Sequence, residues 1–248
     1  MLKLKILNYQ KSLLSLTLLL VTTCLVATDS FTNLKSTQTF AQARVADFFS
    51  LWQRSKERRI ARISRNTSIC AITPGVLETY VVWHNRPIFI WKSFNNQEVQ
   101  LILREYESQV EVWKQPINPR EQKLVYTGEK ALEAGKLYQW QLVNKSRVIN
   151  ESVTFQIMPE AERAKIHNDL VALEQNSKLV KSSPEEIALK KANYFLAYEV
   201  KTQNNTKKHV AWSDALQSLY EVKNPSPAFI EQREKFVTSF CQANSTIN

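Results

Sequence analysis

Between residues 77 and 158 apolar and polar positions alternate. Val99-Gln-Leu101-Ile-Leu103, Val110-Glu-Val112, Leu124-Val-Tyr126 and Val153-Thr-Phe155-Gln-Ile157 all repeat at period two, the pattern of strands with one buried face. "WHNRP", "SFNNQ", "PINPRE", "TGEK" and "NKSRVINE" supply turns between them. About seven short strands in about 80 residues is the density of a β-sandwich, so residues 68–158 are expected to form an antiparallel sandwich of immunoglobulin or fibronectin type.

The stretch "LEAGKLYQWQLV" refines this expectation. Leu132 enters, Gly135 takes the turn, and Tyr138 is placed to fold back onto the preceding loop as a tyrosine corner. Tyr138, Trp140 and Leu142 share one strand face. In "RPIFIW", Pro87 starts a strand, Phe89 and Trp91 point together into the core, and Ile88 and Ile90 take the other face. This strand is expected to partner the first. The aromatic residues Phe89, Trp91, Tyr138 and Trp140 are read as packing rather than recognition.

After Met158 the period lengthens. Pro159-Glu-Ala-Glu162 places a proline and two acids in a first helical turn, and Ile166, Leu170 and Leu173 follow at helical spacing. Residues 176–183, "NSKLVKSS", read as a linker, so 159–182 form a helix and connection. Ser183-Pro-Glu-Glu186 is a capping box with proline at the first helical position. It opens a helix through Ile187, Ala192 and Phe195, which "KTQNNTKKH" ends. A helix with Trp212, Ala215 and Leu219 follows, and Ser226-Pro227 caps a last one through Phe229, Phe236 and Phe240. The predicted class is therefore α+β: a β-rich amino-terminal half and a helical module over 183–248.

The helical pair "ANYFLAYEVKTQ…AWSDALQSLYEVKNPSP" resembles one tetratricopeptide unit, with small Ala192 and Ala215 where two helices would cross. Together, "RPIFIW", "LEAGKLYQWQLV", "FQIMPEAERAKI" and "WSDALQSLYEVKNPSP" resemble a family of uncharacterised secreted cyanobacterial proteins, a domain of unknown function. The likeness covers roughly residues 68–240 and implies a sandwich-like segment followed by a tetratricopeptide-like tail. It implies no activity. Residues 201–209 depart from the pattern as an insertion between the paired helices.

Composition changes the picture mainly at the amino terminus. Lys3, Lys5 and Lys11 precede an apolar run over 13–26, too short for a typical spanning helix and suited to a secretory signal. Ala41-Gln42-Ala43 is the best cleavage pattern, giving a signal over 1–43; a cut near Ala27 and retention as an anchor stay open. A lipoprotein reading at Cys24 is weaker, because Thr22 and Thr23 stand where smaller residues are expected. Cleavage would leave Cys70 and Cys241, an even pair expected to bridge in a periplasmic or extracellular compartment.

The chain carries a net charge of +10, and residues 44–65 hold seven basic against two acidic residues. Arg54, Lys56, Arg58, Arg59, Arg62 and Arg65 therefore mark a basic arm over 44–67 ahead of a nearly neutral body. Such an arm would attract an anionic membrane surface or an acidic polymer through salt-sensitive forces. Its Phe48, Leu51, Trp52, Ile60 and Ile63 are equally those of a solvated amphipathic helix.

Three glycines preclude the phosphate-cradling loops, since neither G-x-x-x-x-G-K nor G-x-G-x-x-G occurs. His84, His167 and His209 lie in separate segments without ligand spacing, which favours surface or local hydrogen-bonding roles over metal binding. Nothing like G-x-S-x-G is present. The expectation is a non-enzymatic extracytoplasmic protein without cofactor or nucleic acid, an interaction or envelope-assembly component. Its helical module would dock a protein partner; binding through the basic arm and an envelope hydrolase are the alternatives.

Overall fold

The computed structural model describes Phe49 and residues 69–77, 79–93, 98–117, 121–145, 147–149, 151–200 and 209–242. The expected signal over 1–43, its cleavage site, and the six basic residues from Arg54 to Arg65 lie outside the described residues.

The chain is a mixed α+β protein, with strands first and four helices among the described residues at the carboxyl end. The alternating segments become β1 (Ile69–Thr73), β2 (Val81–Val82), β3 (Ile88–Ser93), β4 (Val99–Glu105), β5 (Glu111–Ile117), β6 (Lys123–Val125), β7 (Leu137–Asn144), β8 (Arg147–Val148) and β9 (Val153–Ile157). They form two sheets, in the orders β1-β3-β6 and β2-β9-β7-β4-β5, with β8 beside β7. Every pairing between them is antiparallel except β2 with β9.

The sheets share one apolar core. Phe89 of β3 meets Trp140 of β7 edge-on at 5.3 Å between ring centroids, Phe155 of β9 at 6.2 Å and Trp113 of β5 at 5.9 Å. These contacts correct the expected pairing of β3 with β7. The ladder neighbours of β7 are β4, β9 and the short β8, and β3 lies in the opposite sheet. Facing strands and paired strands both bring aromatic side chains together, so period two alone does not separate the two cases.

The tyrosine corner forms as expected. Gly135 turns with a positive φ of 81°, and the Tyr138 hydroxyl accepts a hydrogen bond from the Glu133 backbone N–H at 2.9 Å. Trp140 donates its indole N–H to the Pro74 carbonyl at 3.0 Å, so neither buried polar handle is orphaned. Changing Tyr138 to phenylalanine should lower stability by about 1 kcal/mol, the net worth of one hydrogen bond. Chemical denaturation checks this, and an unchanged midpoint would count against the corner.

The helices are α1 (Glu160–Leu179), α2 (Pro184–Ala197), α3 (Trp212–Tyr220) and α4 (Pro227–Gln242). A complete capping box at Ser183 and Glu186 starts α2. The Ser226 hydroxyl accepts from the Phe229 N–H at the start of α4. Helix α1 runs three residues past the start of the expected linker because Ser177 is buried, its hydroxyl accepting from Lys190 of α2 at 3.3 Å. Between α2 and α3 a two-residue ladder, β10 (Glu199–Val200) with β11 (His209–Val210), brackets the expected insertion. Residues 201–208 themselves lie outside the described residues.

A second core lies between the first sheet and the helices. Ile88 and Ile90 of β3 face it, together with Ala192 and Phe195 of α2, Leu216 and Leu219 of α3, and Phe236 and Phe240 of α4. Phe49 belongs to it as well, 5.5 Å from Phe236. Phe49 falls within the expected basic arm, whose six marked basic residues lie outside the described residues. Strand β3 is buried on both faces, Phe89 and Trp91 toward one core, Ile88 and Ile90 toward the other. That division of the four side chains is the one the sequence predicts.

Candidate functional site

The joint between the halves holds a cluster of buried polar side chains. Helix α3 is buried along its length, Trp212 through Leu219. Its Asp214, Gln217 and Ser218, with Glu221 at its C-cap, recur at the spacing of one helical face. That face meets the turn "WHNRP" between β2 and β3.

Asp214 is fully buried. Its carboxylate accepts from the backbone N–H of Trp83 at 3.0 Å and of His84 at 3.1 Å, and from the His84 Nδ1 at 2.7 Å. The other ring nitrogen, Nε2, lies 3.2 Å from Glu221 Oε1. One turn along, Gln217 accepts from the Ile88 N–H at 2.9 Å and donates to the Arg86 carbonyl at 3.2 Å and to Glu221 at 3.1 Å. The turn's otherwise open backbone groups are therefore satisfied by α3.

Burial works against a charge on the His84 ring, but its hydrogen bonds to Asp214 and Glu221 prevail and raise its pKa from 6.5 to about 9. Glu221 responds in kind: burial favours its neutral form, and the His84 contact outweighs this and holds the carboxyl below its ordinary range. At neutral pH the cluster is an imidazolium between two carboxylates.

A cleft of about 430 Å³ opens beside this cluster, walled by Trp83, His84, Leu170, Glu174, Lys191 and Phe195. Trp83 and Arg163 of α1 exchange bonds across it: the indole donates to the Arg163 carbonyl at 3.0 Å, and Arg163 Nε donates to the Trp83 carbonyl at 2.9 Å. His84 and Asp214 repeat the acid–base half of a hydrolase triad. Where a nucleophile would meet Nε2, the Glu221 carboxylate stands instead. The nearby Ser218 hydroxyl donates to the Asp214 carbonyl at 2.9 Å. With both ring nitrogens facing carboxylates, the arrangement ties the turn to the end of α3 as an electrostatic latch.

Sequence reasoning gave His84 a surface or local role, whereas its partner lies 130 residues away. The readable signal was the polar stripe of Asp214, Gln217 and Ser218 on α3, continued by Glu221 just after it. Among the described residues, no three His, Cys, Asp or Glu side chains are placed to hold a metal ion.

The expected cysteine pair is bridged. Cys70 of β1 and Cys241 of α4, 171 residues apart, are joined with their Cα atoms at 6.1 Å. No helix among the described residues is long and apolar enough to cross a membrane. The bridge is compatible with an extracytoplasmic protein. Phe89, Trp91, Tyr138 and Trp140 all lie in the inter-sheet core, as packing residues.

No family model matches the chain, and no curated protein matches it. Among solved structures, a DUF3244 family protein from Bacteroides vulgatus, described as having an immunoglobulin-like β-sandwich fold, is similar over 36% of this chain and 81% of its own. The identity is 10% and the TM-score 0.23, too low to carry an argument.

Proposed function

We propose that this chain is a non-enzymatic extracytoplasmic protein, periplasmic or secreted, that holds a protein partner as an interaction or envelope-assembly component. The observation that carries the reading is the engagement of both His84 nitrogens by carboxylates from α3 and the turn that follows it. This buried cluster thereby joins two halves of a scaffold instead of activating a substrate. The Cys70–Cys241 bridge supports an oxidising compartment.

The finer fold reading belongs to the same proposal. The strand orders β1-β3-β6 and β2-β9-β7-β4-β5, with a tyrosine corner at the start of β7, support an immunoglobulin- or fibronectin-like sandwich. Buried Ala192 and Ala215 are what a tetratricopeptide-like pairing of α2 with α3 would place at the crossing. With most of α3 enclosed, the exposed large apolar side chains of the helical half lie on α1 and its end, at Val171, Leu179 and Val180, and on α4, at Ile230.

The test is affinity capture from native envelope extract, run beside a version with Arg58, Arg59, Arg62 and Arg65 neutralised. A stoichiometric protein retained by both is expected. Recovery of only acidic polymer or lipid, lost on neutralisation, would replace the proposal with attachment through the basic segment. Turnover of an ester, peptide or glycan that His84→Gln abolishes would replace it with an enzyme.

A further inference from the structure

Strand β6 ends the first sheet, and its free side adjoins a groove of about 570 Å³. The Trp91 N–H bonds to the Gln122 carbonyl and the Tyr126 N–H to the Pro87 carbonyl, each at 3.0 Å. In this antiparallel register Gln122, Leu124 and Tyr126 turn their backbone groups toward β3. Lys123 and Val125, opposite Ile90 and Ile88, therefore turn theirs outward. No described residue bonds these outward groups. Such an edge is a template for another strand.

The groove beside the edge is charged and specific. Its far wall is Tyr220 and Glu234. Glu234 is already engaged, by Lys92 at 3.3 Å, by the Tyr220 hydroxyl at 3.0 Å and by Arg233 at 3.3 Å. Arg233 covers the Tyr220 ring at 4.0 Å, and Lys123 Nζ lies 4.6 Å from the same ring centroid. Lys92 and Arg233 thus hold Glu234, which is 39% exposed, while Lys123 lies over the neighbouring ring and Glu121 also lines the groove. Among the described residues the Lys123 ammonium has no carboxylate within salt-bridge distance. Burial and the Arg233 charge lower its pKa, the condition an incoming carboxylate would relieve. Gln122 Oε1, in the same wall, is buried without a hydrogen-bond partner. Val125 is 47% exposed beside it.

We propose that β6 and this groove bind an extended acidic segment of a partner protein by strand addition, its backbone pairing with Lys123 and Val125 and its carboxylate meeting Lys123. This deepens the partner-holding reading above and rests on it. Side chains of an added strand face the groove at every second position. The segment recognised therefore carries an acidic residue two positions from an apolar one, the first over Lys123 and the second over Val125. A second copy of this chain fits poorly, since pairing two β6 edges brings the excess cations of two grooves together.

The probe is a short capped peptide, Val-Thr-Glu-Thr-Val-Thr, added to the intact disulfide-bonded chain. Binding is read by fluorescence polarisation and by hydrogen exchange. The expected result is saturable binding that slows exchange at the Lys123 and Val125 amides. It should weaken about tenfold or more with Lys123→Glu or with lysine replacing the peptide glutamate. It should vanish when the peptide backbone is N-methylated along its pairing edge. Val125→Pro removes only an outward N–H, which an edge strand tolerates, and should abolish binding with the unfolding midpoint kept. Absence of binding, binding indifferent to N-methylation, or a concentration-dependent dimer lost in Val125→Pro would each overturn the proposal. Envelope capture unchanged by Val125→Pro would leave a partner-holding protein whose contact lies elsewhere.

Discussion

Changing Asp214 to asparagine lowers the unfolding free energy by about 3–5 kcal/mol, the range for removing one partner from a buried ion pair. The carboxylate is fully buried and takes hydrogen bonds from two backbone N–H groups and the His84 ring. An amide of the same shape turns donors of its own toward at least one of these, and leaves the imidazolium to Glu221 alone. His84→Gln costs less, because Asp214 keeps its two backbone donors. A double-mutant cycle over the pair should show coupling of about 0.5–3 kcal/mol. The His84 pKa is raised in the folded state, so the charge contributes its full stabilisation below pH 6.5, and that contribution fades as pH rises to about 9. Urea denaturation across this range should show wild-type stability falling, with a flatter profile in Asp214→Asn. Equal midpoints for the two proteins near pH 6 would remove the latch from the account.

Loss of the Cys70–Cys241 bridge is the other large effect. The bridge closes a loop of 171 residues, for which the chain-entropy model gives about 5 kcal/mol; native strain and residual structure in the unfolded chain lower the expected cost to about 2–5 kcal/mol. Replacing both cysteines with alanine should move the guanidinium midpoint down and steepen the transition, because the unbridged unfolded chain exposes more surface. An unchanged midpoint, with the bridge verified by mass in the parent protein, would show that β1 and α4 hold each other without it.

What could be read from the sequence was local. Period-two segments became strands, "LEAGKLYQW" became a tyrosine corner because its hydrogen bond spans five residues, and Ser183-Pro-Glu-Glu186 capped a helix because its reciprocal bonds span three. The even cysteine count pointed to the bridge by chemistry alone. Long-range choices were not readable. The pattern of β3 specifies two buried faces but not which sheet it joins. "NSK" reads as a breaker until Lys190 supplies a partner for Ser177. His84 is unremarkable until the turn carrying it meets α3. The stripe of Asp214, Gln217, Ser218 and Glu221 was visible, yet a polar stripe does not say what it faces. The groove at β6 depends on residues from four separate segments and has no signature in any one of them.

The two faces of β3 make one short strand the common wall of both cores, so neither half is modular. A fragment ending at Met158 would retain the residues of both sheets, yet present Ile88 and Ile90 to water and strip the turn at Trp83–His84 of its acceptors. Slow amide exchange should accordingly be shared by β3, β7 and α3 as a single cooperative unit, with no partly unfolded state in which the helices have left and the sheets remain.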